Sequence, residues 1–195
     1  MRSLIRVAVV AAALAALPGR ASELGLLVDK QFGGSQTFGS YHFDGSKPGG
    51  YGIRGVYTIL DLNVAEVGLS ATYHPEQESD LSNSGTLNNQ YIAIGAQVDW
   101  KFLVNLHAGI DIRREKLTTD GNSIVPNGST TYTRPWIKAG IGYALPSPVV
   151  SPFVRLEVAV AATKQGSLNS GSSADDFRKA MAPDYQIGLY GGIRF

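Results

Sequence analysis

Gln186-Ile187-Gly188-Leu189-Tyr190-Gly191-Gly192-Ile193-Arg194-Phe195 is the stretch whose reading decides the fold. Side chains of a strand alternate between its two faces. Ile187, Leu189, Ile193 and Phe195 therefore share one face, and Gln186, Gly188, Tyr190, Gly192 and Arg194 share the other. Such a strand suits a wall with hydrocarbon on one side and a polar interior on the other.

Working outward from it, the same period-2 pattern predicts eight strands, over residues 24–32, 51–60, 65–73, 90–100, 104–113, 132–143, 153–162 and 186–195. Leu24, Leu26, Val28 and Phe32 line one face of the first. Ile92, Ile94, Ala96, Val98 and Trp100 do so in the fourth, and Leu106, Ala108, Ile110 and Ile112 in the fifth. Most have roughly the 9 to 11 residues that a tilted strand needs to cross a bilayer. The connections alternate in length. Asp61-Leu62-Asn63-Val64, Lys101-Phe102-Leu103 and residues 144–152 are short, whereas 33–50, 74–89, 114–131 and 163–183 are long and rich in Gly, Ser, Asn and Thr. That order puts both termini and every short turn at one end, and four long loops at the other. Outer-membrane barrels have this asymmetry, with short periplasmic turns and long extracellular loops.

The opposite end of the sequence reads as a secretory signal peptide, residues 1–21, ahead of a barrel domain over 22–195. Arg2 and Arg6 precede an apolar run over 7–17, and Gly19-Arg20-Ala21 is a small-x-small cleavage site before Ser22. The apolar run is about half the roughly 20 residues that a spanning helix requires. A formal charge of +1 offers no electrostatic case for nucleic acid. Without cysteine there is neither a disulfide nor a lipid-anchor site. A mean hydropathy of −0.02 excludes a helical membrane protein and is natural for alternating strands.

The polar face tells inside from outside. It carries Glu23, Asp29, Glu66, Asp99, Asp111 and Glu157 against Arg54, Arg113, Arg134, Lys138, Arg155 and Arg194, with His107 among them. The interior of an eight-stranded barrel is just wide enough for side chains to fill. Enclosed charges must pair there, so these thirteen residues are expected to form an interior polar network. The apolar face is then lipid-facing, with Lys30 near its outer end. Its aromatics sort into two bands, Trp100, Tyr143 and Phe195 at the periplasmic rim and Phe32, Tyr51, Tyr73 and Tyr185 at the extracellular one. A soluble barrel with its apolar face inward is the competing arrangement.

Gly49-Gly50-Tyr51-Gly52-Ile53-Arg54-Gly55 and the closing Gly188-Leu189-Tyr190-Gly191-Gly192-Ile193-Arg194-Phe195 resemble the small outer-membrane β-barrel family, the OmpA/OmpX-like barrels and opacity-type surface proteins. The resemblance covers essentially the whole chain after residue 21. It implies an all-β, eight-stranded antiparallel up-and-down transmembrane β-barrel. It also implies that Tyr190, Ile193 and Phe195, beside Arg194, form the signal read by the barrel-assembly machinery. Unlike OmpA, the chain is expected to end at the barrel, without a periplasmic peptidoglycan-binding domain.

Some members of that family modify lipid A, the deacylase type through a His-x-Ser pair on a late strand. The three histidines here read His42-Phe43-Asp44, His74-Pro75-Glu76 and His107-Ala108-Gly109, and none has that serine. The palmitoyltransferase type has an amphipathic helix ahead of the barrel, for which no room exists after residue 21. No catalytic site, cofactor or metal is therefore expected. His42 and Asp44 read as solvated loop polars, and so do Asp175, Asp176, Arg178 and Lys179. The expected role is structural or surface-interacting, exerted through the four long loops. A narrow channel or transporter for small or apolar solutes is the alternative. The expected partners are outer-membrane lipid and lipopolysaccharide, the assembly machinery during export through the periplasm, and an unidentified surface ligand. The barrel is expected to be a monomer.

Overall fold

The computed structural model describes residues 22–33, 36–38, 41–43, 47–81, 85–121, 127–147, 149–164, 168 and 171–195. The predicted signal segment and Asp44 lie outside these residues. Ten strands are present among them, β1 (Ser22–Gly33), β2 (Gln36–Phe38), β3 (Tyr41–Phe43), β4 (Gly49–Asp61), β5 (Ala65–Asp80), β6 (Gly85–Trp100), β7 (Asn105–Gly121), β8 (Gly128–Ala144), β9 (Ser151–Ala161) and β10 (Pro183–Arg194), with one helix, α1 (Ala174–Ala180). Eight of the strands close into a barrel in the order β1-β10-β9-β8-β7-β6-β5-β4, each antiparallel to its neighbours. Consecutive wall strands adjoin, so the topology is up-and-down. β2 and β3 form a separate small hairpin.

The outer and inner surfaces are inverted relative to a soluble protein. Ile94 is 66% exposed and Leu26, Leu69, Ile110, Ile137 and Val154 are also exposed, while Arg54 is 0% exposed. Charged side chains are almost never so fully buried unless paired, and a wall this apolar requires lipid. On β6 the outward apolar run extends from Ile92 to Trp100. At roughly 2.3 Å of axial rise per residue for a strand tilted near 45°, that gives a belt about 20 Å tall, close to the ~25 Å band of outer-membrane barrels. Trp100, Tyr143 and Phe195 are exposed at its lower edge, and Tyr51 and Tyr185 at its upper edge.

At the lower end the turns are tight. Leu62 and Ala65 exchange backbone hydrogen bonds of 2.8 and 3.3 Å around Asn63-Val64, and the Lys101 N–H donates to Val64 O at 2.9 Å. The upper end differs from the expectation of four long loops. β5 to β8 run well past the belt, so the predicted loops 74–89 and 114–131 are the ends of two long hairpins, joined only through 81–84 and 122–127. Gly85 and Gly128, at φ 126° and 141°, stand at the turns in a conformation that L side chains rarely adopt. Pro75 occupies a bulge between His74 and Gln77, where a missing N–H leaves no ladder bond unmade. The remaining two predicted loops also hold structure, the β2–β3 hairpin in 33–50 and α1 in 163–183.

Candidate functional site

The lumen concentrates the chemistry of this fold, because every second residue of eight strands points into it. Near the end that carries the tight turns the ionic side chains form a single chain. Lys101, in a turn, bonds Asp61 and reaches Glu66 at 2.8 Å. Glu66 meets Arg194 at 3.5 Å, and Arg194 bonds Glu23. Arg155 joins Glu23 at 3.4 Å to Asp99 at 2.6 Å. His107 stands between Asp99 (3.1 Å from Nδ1) and Glu157 (3.4 Å from Nε2), and Glu157 accepts two hydrogen bonds from Arg54, at 2.7 and 2.9 Å. From the rim to mid-barrel each carboxylate from Glu66 to Glu157 touches a basic residue on both sides, which is how a low-dielectric interior holds many ions at tolerable cost.

Aromatic and aliphatic groups pack around this chain. Tyr190 lies inside the barrel, fully buried, with the guanidinium of Arg54 4.9 Å from its ring centroid and that of Arg155 at 5.7 Å. Its hydroxyl donates to Arg54 O at 3.2 Å, and Phe153 meets it edge-on at 5.0 Å. Leu27 completes this small apolar cluster.

At mid-height, Lys138 Nζ donates to Asp111 at 2.9 Å and to Ser70 Oγ at 3.2 Å. A Cβ added at Gly95 would lie 2.1 Å from an Asp111 carboxylate oxygen, so glycine there makes room for the acid. Above them Arg113 is sandwiched between Trp136 (4.0 Å) and Tyr91 (4.7 Å) and donates to Gln186 Oε1. Asp111 is 3.9 Å from its other guanidinium nitrogen. Gln186 also bonds Asp29, whose second oxygen meets His74 Nε2 at 2.9 Å, and His74 stacks on Tyr91 at 4.7 Å. Stacked, desolvated cations of this kind contribute about 2 kcal/mol each.

At the upper end Glu115 takes four donors, from Tyr132 Oη at 2.6 Å, Trp136 Nε1 at 2.7 Å and Arg134 at 3.0 and 3.2 Å. Arg134 continues to Asp184 at 2.9 Å and to the carbonyl of Pro183. Above this layer the lumen turns apolar. Leu81, Leu87 and Leu117 from the hairpins pack against Phe177, Met181 and Ala182, so α1 closes the mouth as a lid held by its own small core. Of the expected solvated charge cluster Asp175 and Asp176 are exposed, whereas Arg178 is buried and bonds Asp175 at 2.6 Å and Thr119 at 3.3 Å. Gln36, from the β2–β3 hairpin, donates to Ala180 O at 3.3 Å.

The predicted network residues are thus distributed over three layers. All are buried except Arg194, which is partly open at the rim. His42 is exposed and lies 3.1 Å from Thr37 Oγ1 on the outer hairpin. Ile193 and Phe195 face outward. Glu115, His74, Tyr91, Trp136, Asp184 and Arg178 were not among the expected participants. Glu115 and His74 follow the same alternation as Arg113 and Thr72, so parity continued past the predicted strand ends would have found them.

No family model matches the chain, and no curated protein matches it. Solved structures do. The N-terminal β-barrel domain of Pseudomonas aeruginosa OprF aligns with 90% of this chain and 98% of its own at 14% identity, with a TM-score of 0.51. A major outer membrane protein from Thermus thermophilus aligns with 89% of this chain and 99% of its own at 15% identity, with a TM-score of 0.50. The fold is that of the small outer-membrane barrels. At such identities the likeness is one of fold and leaves the role to the site itself.

Proposed function

We propose that this chain is a monomeric barrel of the bacterial outer membrane whose lumen is closed and whose work is done at its extracellular face. In this reading the chain is exported through the periplasm, and the assembly machinery reads the strand ending at Phe195. The belt then sits in outer-membrane lipid with lipopolysaccharide around its upper edge. The carrying observation is the continuous ionic chain from Lys101 to Arg54, continued upward by Arg113, Trp136 and Arg134. A transported solute would have to displace paired ions that cost several kcal/mol each to separate. The contact surface consists of the two projecting hairpins and the α1 lid rather than of four open loops. Ser70 and Lys138 touch, but both are sealed at mid-lumen, where no lipid substrate reaches them, which favours a non-catalytic role.

Planar-bilayer recording on the purified protein tests this. The expected outcome is no reproducible unitary conductance at neutral pH. A stable open state of ion-channel size would overturn the closed lumen and favour the narrow-channel alternative.

A further inference from the structure

We infer that the three short turns, over 61–65, 101–104 and 144–152, form an apolar foot that rests in the headgroup–acyl boundary of the inner-leaflet phospholipid instead of projecting into the periplasm. The inference rests on the outer-membrane reading above and goes beyond it by naming what covers the turn end of the barrel.

Turns that stand in water are built mainly from Gly, Asn, Asp, Ser and Pro, and in outer-membrane barrels they lie beyond the aromatic band that marks the interface. Here the residues beyond Trp100 and Tyr143 are apolar. Leu62 and Val64 occupy the first turn, Phe102 and Leu103 the second, and Val149 and Val150 the third, all exposed. Leu103 at 90% and Val149 at 77% are more open than any residue of the belt, where Ile94 at 66% is the maximum. The first two turns join through the bond from Lys101 N–H to Val64 O, so their apolar tips are neighbours.

This surface continues the belt without a break. By alternation Val104 lies one step below Leu106 on the outward face, and Leu145 one step below Tyr143. A patch that docks a protein is set off by a polar rim, and no polar residue intervenes at either step. The heights agree. At roughly 2.3 Å of axial rise per residue, the outward run of β8 from Pro135 to Tyr143 spans about 18 Å, and Leu145 extends it to about 23 Å. On β9, Val150 extends the run from Pro152 to Val160 by the same step, to about 23 Å. The turn residues thus bring these two strands close to the ~25 Å band of an outer-membrane barrel.

Entry into lipid also requires that charge and backbone be satisfied. The three turns contain one acid and one base, Asp61 and Lys101, and these bond each other. Leu145 N–H donates to Pro152 O at 2.9 Å, and Pro146, Pro148 and Pro152 have no N–H to desolvate. Irregular backbone is not tolerated in the hydrocarbon itself, which places the foot at its boundary, where water still reaches the remaining polar groups.

The chain has no cysteine, so single nitroxide labels can be placed at L103C, V149C, I94C and E78C. Each variant is refolded into phosphatidylcholine vesicles, checked for the heat-modifiable folded band, and read by spin-label collision with oxygen and with a nickel chelate present on both sides of the membrane. The L103C and V149C labels are expected to lose access to nickel and keep access to oxygen, as I94C does in the belt, whereas E78C stays open to nickel. Turn labels as open to nickel as E78C overturn the foot. So do turn labels shielded from both reagents, the signature of a cover by protein or by a second copy of the chain. Failure of the outer-membrane reading registers separately, as an I94C label open to nickel.

Discussion

Arg54 and Glu157 are joined across the lumen by two parallel hydrogen bonds of 2.7 and 2.9 Å, from strands that are not neighbours in the wall. Both side chains are essentially inaccessible to solvent. Removing one partner leaves the other charge buried and unpaired, which costs about 3–5 kcal/mol. E157A is expected to lower the urea midpoint of the barrel in micelles by that equivalent. The double variant R54M/E157M is expected to lose much less than the sum of R54M and E157M. Additive single losses would mean that the pair is not the unit.

Trp100 and Trp136 are the only two tryptophans, and the barrel places them on opposite sides of its wall. Trp100 is exposed on the belt, whereas Trp136 is 1% exposed, donates to Glu115 and lies under Arg113. Brominated acyl chains are expected to quench W136F, which retains Trp100, strongly and W100F weakly. Equal quenching would contradict the assignment of faces. W136F also loses a buried hydrogen bond and is expected to be about 1–3 kcal/mol less stable.

These two cases mark what the sequence carries. Within the belt the outer face must be apolar, so period-2 alternation appears over Ile92 to Trp100 and Leu106 to Ile112, and the barrel can be read from it. Above the belt the outer face is free to be polar. Arg114, Lys116, Gln90 and Thr131 then erase the pattern although the strands continue, and Glu115 was lost with them. Alternation assigns a side chain to a face and not to a partner, so the Arg54–Glu157 pair and the order of the ionic chain were illegible. α1 has seven residues, too few for a helical period, and its signal lies in the capping pair Ser173 and Asp176.

Phe195 and Ile193 face lipid beside the lower turns, and Arg194, between them, faces the ionic chain through Glu23 and Glu66. Removing Phe195 takes away an aromatic of the lower belt without touching the network. Assembly in cells is therefore expected to fall, seen as less heat-modifiable protein in the outer-membrane fraction, while refolding into detergent micelles is retained. R194A is expected to do the reverse in part, with lower urea stability of the refolded barrel through Glu23. Equal assembly yields for wild type and truncated chain would remove the terminal strand from the export reading.

Ser173 holds the start of α1 through Asp176, whose carboxylate accepts from the Ser173 N–H at 2.9 Å and from its hydroxyl at 2.8 Å. Those bonds, the backbone one first, keep the Asp176 carboxyl more acidic than an ordinary aspartate. A group whose folded value is depressed stabilises the fold at pH above its unfolded value, near 3.9, and that contribution disappears as pH falls through the folded value. The lid is thus expected to loosen on acidification below about pH 4. Hydrogen exchange reads this directly. The Phe177 and Met181 amides, bonded at 3.0 Å to Ser173 O and at 3.1 Å to Phe177 O, should lose protection between pH 6 and pH 3, whereas the Ile94 amide in the wall should keep it. D176N should flatten the dependence at Phe177. Protection at Phe177 that falls equally in D176N would overturn the assignment of the acid sensitivity to this cap.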